Sequence, residues 1–349
     1  MTSTRIEDDV AVPHRPDAPG LRFRRWTGFD DIVGMAAANQ LARDEAGIDD
    51  VINVEVMTRT YSHLVHCDLS RDLVIVEQDG RTIGYVRVDW NDLTNGERQF
   101  FSFCVLDPMA RGKGIGRAML SWSEARLAEV ASEVPNDRSG QLFAYTHGSD
   151  IAGRTLLERN GWSEVARGYE MVRPTLDEIQ DIALPVGIDI RPVDEARRRQ
   201  TWEAAREAFR DHRDEEEWTE GHWARFPEDF PDTSLWVVAF DGEEVAGGIW
   251  NVIDLAANTL HGRARGVLAT AWTGARWRRR GVARALIARS LVTLRHRGMT
   301  SASLGVDGAN PNQAMDLYAS LGFVIVSSTI DWRKPLPPAL AAGTRQEST

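Results

Sequence analysis

Two stretches of the chain carry residues suited to gripping an anion. Pro108-Met109-Ala110-Arg111-Gly112-Lys113-Gly114-Ile115-Gly116 lies between a strand-like apolar run and a helix-like one. Glycines let the backbone turn tightly and approach a ligand with no Cβ in the way. The helix that follows presents unsatisfied N–H groups and the positive end of its dipole. That combination suits a phosphate or pyrophosphate, and Arg111 and Lys113 add positive charge. The spacing Arg111-x-x-Gly114-x-Gly116 recurs 167 residues on as Arg278-x-x-Gly281-x-Ala283, where Arg279 and Arg280 supply the charge. Other phosphate loops fit worse. A dinucleotide fingerprint would need glycine where Arg117 stands, and no G-x-x-x-x-G-K-S/T run occurs.

Other reactive side chains point to less. His63-x-x-His66-Cys67 has a spacing that would set both histidines on one helical face. No second ligand cluster and no H-E-x-x-H run accompany it, so packing or surface placement is the expectation and no metal site is predicted. Cys104 is a lone thiol on a strand expected to be buried, with no positioned histidine to make it a nucleophile.

The elements that must position these loops come in two matching sets. Gly20-Leu21-Arg22-Phe23-Arg24 resembles Gly187-Ile188-Asp189-Ile190-Arg191, also at an offset of 167. Asp79-Gly80 and Asp241-Gly242 each sit between two strand-like runs, and Gly161-Trp162 and Gly322-Phe323 close the halves. Each half reads as strand, helix, hairpin, strand, phosphate loop, long helix, strand and short helix, followed in the second half by the run Phe323 to Lys334, an α/β domain with a mixed sheet. A chain of 349 residues exceeds the roughly 250–300 that one core serves, which agrees with two domains. The expected layout is a tail over 1–19, domains over 20–180 and 187–335, and a tail over 336–349. Pro174 and Pro185 bracket the linker, where a short acidic helix is predicted.

Charge and composition narrow the partners. With 41 Lys+Arg against 52 Asp+Glu, the net charge of -11 opposes duplex nucleic acid and anionic membranes. No apolar run approaches the ~20 residues of a membrane span. The acidic, proline-bearing start lacks a signal core, and two cysteines make no disulfide framework, so a cytoplasmic protein is expected.

The second half also carries Asn310-Pro311-Asn312-Gln313-Ala314-Met315-Asp316-Leu317-Tyr318-Ala319-Ser320-Leu321-Gly322-Phe323. Together with the two loops, this segment resembles the GNAT superfamily of N-acetyltransferases, whose loop reads Q/R-x-x-G-x-G/A. The resemblance spans nearly all of both halves and is similar to the tandem arrangement of mycothiol-synthase-like enzymes. It implies two tandem acyl-CoA N-acyltransferase domains, each a twisted mixed sheet flanked by helices. Acetyl-CoA is the implied cofactor and a small-molecule amine the implied acceptor, in a monomer or homodimer.

By resemblance, the pantetheine arm would follow Cys104, Val105 and Leu106 in the first half and Ala271, Trp272 and Thr273 in the second. The pyrophosphate would sit on Arg111, Gly112, Lys113, Gly114, Ile115 and Gly116, or on Arg278, Arg279, Arg280, Gly281, Val282 and Ala283. Asn310 matches the family's asparagine contact, or Asn312 if the register shifts. Tyr318 matches the tyrosine that protonates the departing thiolate, and Leu157 stands in its place in the first half. The first domain is therefore expected to be degenerate and the second catalytic. A general base is less legible. Asp307 is a weak candidate that reads better as a turn cap, and Glu203, Glu207 and Asp211 read as solvated helix carboxylates. The acidic, aromatic stretch from Asp211 to Trp223 reads as a charged surface turn, with an alternative role of attracting a cationic amine. Trp250 and Trp272 would flank the cleft. The expected activity is transfer of acetyl to a primary amine by direct attack in a ternary complex. The alternatives are acetylation of a cysteinyl amino-sugar conjugate, as in mycothiol synthase, or an acyl-CoA-binding sensor without turnover.

Overall fold

The computed structural model describes residues 9–48, 51–135, 137–210, 212, 215–308 and 314–336. The chain divides into two compact units, Met1–Val165 with Thr329–Thr349, and Ala166–Ser328. No helix among the described residues is long and apolar enough to cross a membrane.

In the amino-terminal unit the order is β1 (Leu21–Arg25), α1 (Asp31–Glu45), α2 (Val54–Ser62), α3 (Leu69–Asp72), β2 (Leu73–Gln78), β3 (Arg81–Asp92), β4 (Glu97–Leu106), α4 (Ile115–Glu133), β5 (Ser139–His147) and α5 (Ile151–Arg159). The chain continues through β6 (Ser163–Arg173), β7 (Ile188–Arg191), α6 (Glu195–Phe209), α7 (Glu220–Asp229), β8 (Val237–Asp241), β9 (Glu244–Val252), α8 (Leu255–Leu260), β10 (Arg265–Thr273), α9 (Val282–His296), β11 (Ser301–Asp307), α10 (Ala314–Ser320) and β12 (Val324–Pro335).

Local chemistry explains most of these boundaries. Asp79 and Gly80 take φ of 52° and 81°, the left-handed pair that a two-residue hairpin needs between β2 and β3. Asn53 caps α2 through the N–H groups of Glu55 and Val56, and Asp150 and Asp194 cap α5 and α6 in the same way. Each unit is a sheet with an apolar layer on both faces. In the first, α4 covers Phe100, Leu142 and Ala144, while α1 and α2 cover Ile75, Tyr85 and Val105. In the second, α9 packs on Leu268, Ala302 and Leu304, and α6 and α7 on a cluster rich in tryptophan.

The units do not follow the repeat. Within the first unit the strand order is β1-β2-β3-β4-β5-β12, and within the second it is β6-β11-β10-β9-β8-β7. Thr329 to Pro335 of β12 pair with β5, and Gly168 to Arg173 of β6 pair with β11. Residues 166–180, assigned by the repeat to the first domain, and 329–335, assigned to the second, thus lie in the opposite unit. The acidic helix predicted between Pro174 and Pro185 does not form. Its backbone is held by tertiary partners instead. The Leu176 N–H donates to Thr300 O at 2.9 Å, and the Arg173 guanidinium donates to the carbonyls of Thr175, Glu178 and Leu321.

Candidate functional site

A cleft opens in both units by the same device. In the first, β4 and β5 run parallel and pair only from Glu97↔Ser139 to Phe101↔Phe143, after which they part. In the second, β10 and β11 pair only from Arg265↔Ser301 to Val267↔Ser303. A β-bulge between Leu268 and Thr270 kinks β10 just past that point. Beyond each fork the facing backbone edges lack a strand partner and are available to a ligand. The cleft measures about 1030 Å³ in the first unit and about 450 Å³ in the second.

Each cleft ends at a loop that runs into a long helix. Gly112 and Gly114 take φ of 75° and 83°, and their counterparts Arg279 and Gly281 take 64° and 89°. The two loops therefore share one backbone shape, although Arg279 pays a steric cost that glycine does not. Gly114 and Gly281 are the N-caps of α4 and α9, whose first amides (Ile115 and Gly116; Val282 and Ala283) open toward the cleft end. Gly112, Lys113, Arg279 and Arg280 are exposed. The first arginine of each signature is instead tied down. Arg111 pairs with Glu45 and with Asp150 at 3.5 Å, and Arg278 donates to Thr273 O at 3.2 Å and Ala208 O at 2.9 Å. These two set the loop against α1 or α6, while the backbone and the exposed cations face a ligand. Lys113 Nζ rests on Met109 O at 3.0 Å.

The second cleft brings together Ala271, Trp272, Thr273, Arg278, Arg279 and Tyr318. Tyr318 is buried, its ring edge-on to Phe323 at 5.9 Å, and burial pushes its phenol up to about 12. Two buried donors in the wall, the Thr273 hydroxyl and the Trp272 indole N–H, have no hydrogen-bond partner among the described residues. Such groups are rare and costly unless a ligand or water completes them. Trp272 packs on Gly248, where an added Cβ would collide with the ring. Trp250 is fully buried within the aromatic cluster and does not reach the cleft surface.

In the first cleft Cys104, Val105 and Leu106 line one wall and Leu157 occupies the position matching Tyr318. Cys104, expected to be buried, is exposed toward the cleft. The strand parts from β5 at this point, so its inward face meets open space. Protein atoms crowd the sulfur all the same, and this desolvation pushes its thiol up to about 12, far from a reactive thiolate.

Other expected residues fall elsewhere. Asp307 ends β11 opposite Gly168 of β6 and is not part of the cleft wall. Glu203 and Glu207 are exposed and paired with Arg199 and Arg210, each at 2.8 Å. Asn310, Asn312 and Asp211 lie outside the described residues. His63 and His66 do not share a helical face, because α2 stops at Ser62; His66 takes φ 54° and stacks on Trp90 at 3.6 Å. In the acidic stretch, Glu215 accepts from the Trp218 indole at 2.8 Å, and burial raises its carboxyl. Glu216 lies 3.2 Å from His222 and Glu220 pairs with Arg199 at 2.7 Å, an internally satisfied surface.

Sequence reasoning passed over His212. It lines the second cleft together with Ala208, with its ring edge-on to Phe209 at 4.7 Å. The only signal was its place within the acidic stretch, which carries no periodicity.

The Acetyltransferase (GNAT) family model matches residues 53–144 and 198–323, one segment in each half and together more than half of the chain. The chain belongs to the GNAT acetyltransferase family. The mycothiol acetyltransferase of Geodermatophilus obscurus is 26% identical over 268 residues, covering 76% of this chain and 82% of that protein. The mycothiol acetyltransferase of Kytococcus sedentarius is 27% identical over 314 residues, covering 86% and 94%. Among solved structures, a GCN5-related N-acetyltransferase from Sphaerobacter thermophilus superposes with a TM-score of 0.73 at 22% identity, covering 93% of this chain and 98% of that one. A tandem GNAT protein from the clavulanic acid biosynthesis pathway superposes at 0.66 with 16% identity, covering 91% and 99%. These likenesses agree with the two GNAT folds seen here, and the chain is an acetyltransferase of this tandem type.

Proposed function

We propose that the protein moves acetyl from acetyl-CoA to a primary amine of a small molecule in the cytoplasm, and that the carboxy-terminal unit performs the reaction. The observation that carries this reading is Tyr318, a protonated phenol in the wall of the second cleft, against Leu157 in the first. The residues present suit the cofactor. The unpaired inner edge of β10 fits the amide-bearing pantetheine arm, and the amides of Arg279 to Ala283 with the two exposed arginines fit the pyrophosphate. Ala271, Trp272 and Thr273 would border the arm, where the orphan Thr273 hydroxyl and Trp272 N–H would find acceptors. In the first unit Cys104 to Leu106 and Arg111 to Gly116 offer the equivalent set.

Acetyl-CoA, when bound, supplies an activated thioester. The amine would be acylated at nitrogen with CoA as the leaving thiol; Tyr318 Oη would give its proton to the departing sulfur and recover one from the nitrogen that becomes the amide. Burial keeps the phenol protonated across the neutral range, and a thiolate leaving into the same poorly solvated cleft also gains proton affinity. His212, which lines the second cleft, would accept a proton from the incoming ammonium, a role the carboxylates of α6 are too exposed and too well paired to fill. Asp307 keeps the turn-capping role.

A second reading takes the acceptor implied by the resemblance to mycothiol synthase, a cysteinyl amino-sugar conjugate, and is supported by the relatives named mycothiol acetyltransferase. A sensor without turnover is the reading from another class. The experiment is release of CoA thiol from acetyl-CoA with a panel of primary amines, that conjugate included. Turnover with a simple amine supports the first reading, turnover with the conjugate alone supports the second, and none with any acceptor supports the sensor.

A further inference from the structure

Arg173 is a buried guanidinium with no acid beside it. It ends β6, opposite Ala302 of β11, and is 9% exposed. Its Nε donates to Thr175 O at 2.9 Å, one terminal nitrogen donates to Glu178 O and the other to Leu321 O. All three acceptors are neutral carbonyls, and no carboxylate among the described residues pairs with it. A cation sheltered without a counter-ion is costly, and burial draws its pKa below the ordinary guanidinium value. What it secures is a simultaneous hold on three carbonyls through the fixed fork of its donors.

One of these carbonyls belongs to the turn behind the phenol. The helix α10 has only 7 residues, too few to hold itself in place, so its position depends on tertiary contacts. Its end folds back on Tyr318. The N–H groups of Leu321 and Phe323 donate to Tyr318 O at 3.0 and 3.1 Å, and the Gly322 N–H donates to Ala319 O at 3.0 Å. Gly322 takes φ 86°, the left-handed conformation that closes many helices, and a Cβ there would stand 3.1 Å from Arg173 Nη1. Arg173 thus fastens the turn that follows Tyr318, with its charge at the carbonyl end of the helix. Its other two bonds anchor it to the run from Thr175 to Glu178, which the Leu176 N–H ties to Thr300 O.

The first unit lacks this brace. There α5 bears Leu157 at the matching place and is followed by Gly161 with φ 81°, yet nothing beyond its chain neighbours lies within 4 Å of where a Cβ would be. Lys334, near the end of β12 as Arg173 is at the end of β6, pairs instead with Glu124 of α4 at 2.8 Å. The guanidinium accompanies the tyrosine and is missing beside the leucine.

We infer that Arg173 is the positioning residue for Tyr318: by holding Leu321 O it fixes the last turn of α10, and with it the place of the phenol in the second cleft. The inference rests on the reading of Tyr318 as the acid. The repeat assigns Arg173 to the first copy, so a residue of one copy sets the acid of the other.

The test is fluorine NMR of the full chain labelled with 3-fluorotyrosine, which carries 5 tyrosines and so 5 signals. Tyr318→Phe identifies the Tyr318 signal. Arg173→Met should move that signal by more than its linewidth, while those of Tyr61, Tyr85 and Tyr145, in the other unit, stay in place. In the thiol-release assay, with the panel amine that turns over, Arg173→Met should lower kcat at least tenfold and change the acetyl-CoA KM less than threefold. Arg173→Lys keeps the charge but loses the fork; it should lower kcat only about threefold, and it serves if the methionine variant does not fold. Beside Tyr318→Phe, either substitution should change kcat less than twofold, because residues that act through one group are not additive. An unmoved Tyr318 signal in Arg173→Met, or an equal fold loss with and without the phenol, would overturn the proposal. Full kcat in Tyr318→Phe alone would count against the acid instead, and the fluorine signal, which needs no turnover, still judges the brace.

Discussion

The two units share a backbone and differ in what they hang on it. Gly112 and Arg279 adopt the same left-handed conformation, Gly114 and Gly281 cap the corresponding helices α4 and α9, and the strands of both units fork after a short parallel pairing. The side chains around that common frame have diverged. The carboxy-terminal unit keeps a phenol in a narrow cleft and fills the face under α6 and α7 with Trp202, Trp218, Trp223, Trp236, Trp250 and Trp272. The amino-terminal unit has lost the phenol but keeps a wider cleft. Anion binding by main-chain amides depends on conformation and tolerates side-chain drift, whereas acid catalysis requires one group at one place. Duplication can therefore preserve the first while releasing the second.

The largest expected effect breaks the symmetry of the loops. Gly281→Glu places a carboxylate where an anion should dock, at a φ that only glycine adopts freely. Turnover in the thiol-release assay should fall at least 100-fold, while Gly114→Glu should lower it far less. The reverse order would move catalysis to the amino-terminal unit. Next, Tyr318→Phe should cost an order of magnitude or more in kcat with little change in acetyl-CoA affinity by titration. Equal kcat would remove the acid from its role.

A smaller effect probes the filled face of the second unit. Gly248→Ala must displace the Trp272 ring, and overpacking of this kind costs about 1–3 kcal/mol, readable as a shift in the urea midpoint. An unchanged midpoint would mean that the tryptophan cluster yields easily. The smallest effect is on pH dependence. The Tyr318 phenol is raised from 10 to about 12 in the folded chain, so the fold holds this proton more tightly than the unfolded chain does. Its contribution to stability is complete below pH 10 and is lost as pH rises toward 12. Burial raises Tyr61, Tyr85 and Tyr145 in the same direction, so Tyr318→Phe should lessen, and not abolish, the loss of stability above pH 10.

Much of this was legible from residue order because it is local. A glycine-bearing loop between a strand and a helix announces an anion site, and the Asp-Gly turns, the caps and the alternation of apolar residues place the elements to within a few positions. What failed was local reasoning applied to segments that long-range contacts control. The run from Pro174 to Pro185 has helix-forming residues, yet Arg173 and Thr300 claim its backbone. His63 and His66 have helical spacing, yet the helix ends before either. Cys104 has the alternation of a buried strand residue, yet its strand has just left its neighbour.

The sequence by itself determined the duplicated fold, the two anion loops, and the presence of one phenol where the other copy has a leucine, since each is written in consecutive residues with a fixed period. Tertiary structure alone decided the exchange of terminal strands between units, the different cleft volumes, the place of His212, and the hold of Arg173 on the end of α10. These depend on pairing between residues far apart along the chain, and pairing register is set by the packing of whole sheet faces rather than by any short stretch.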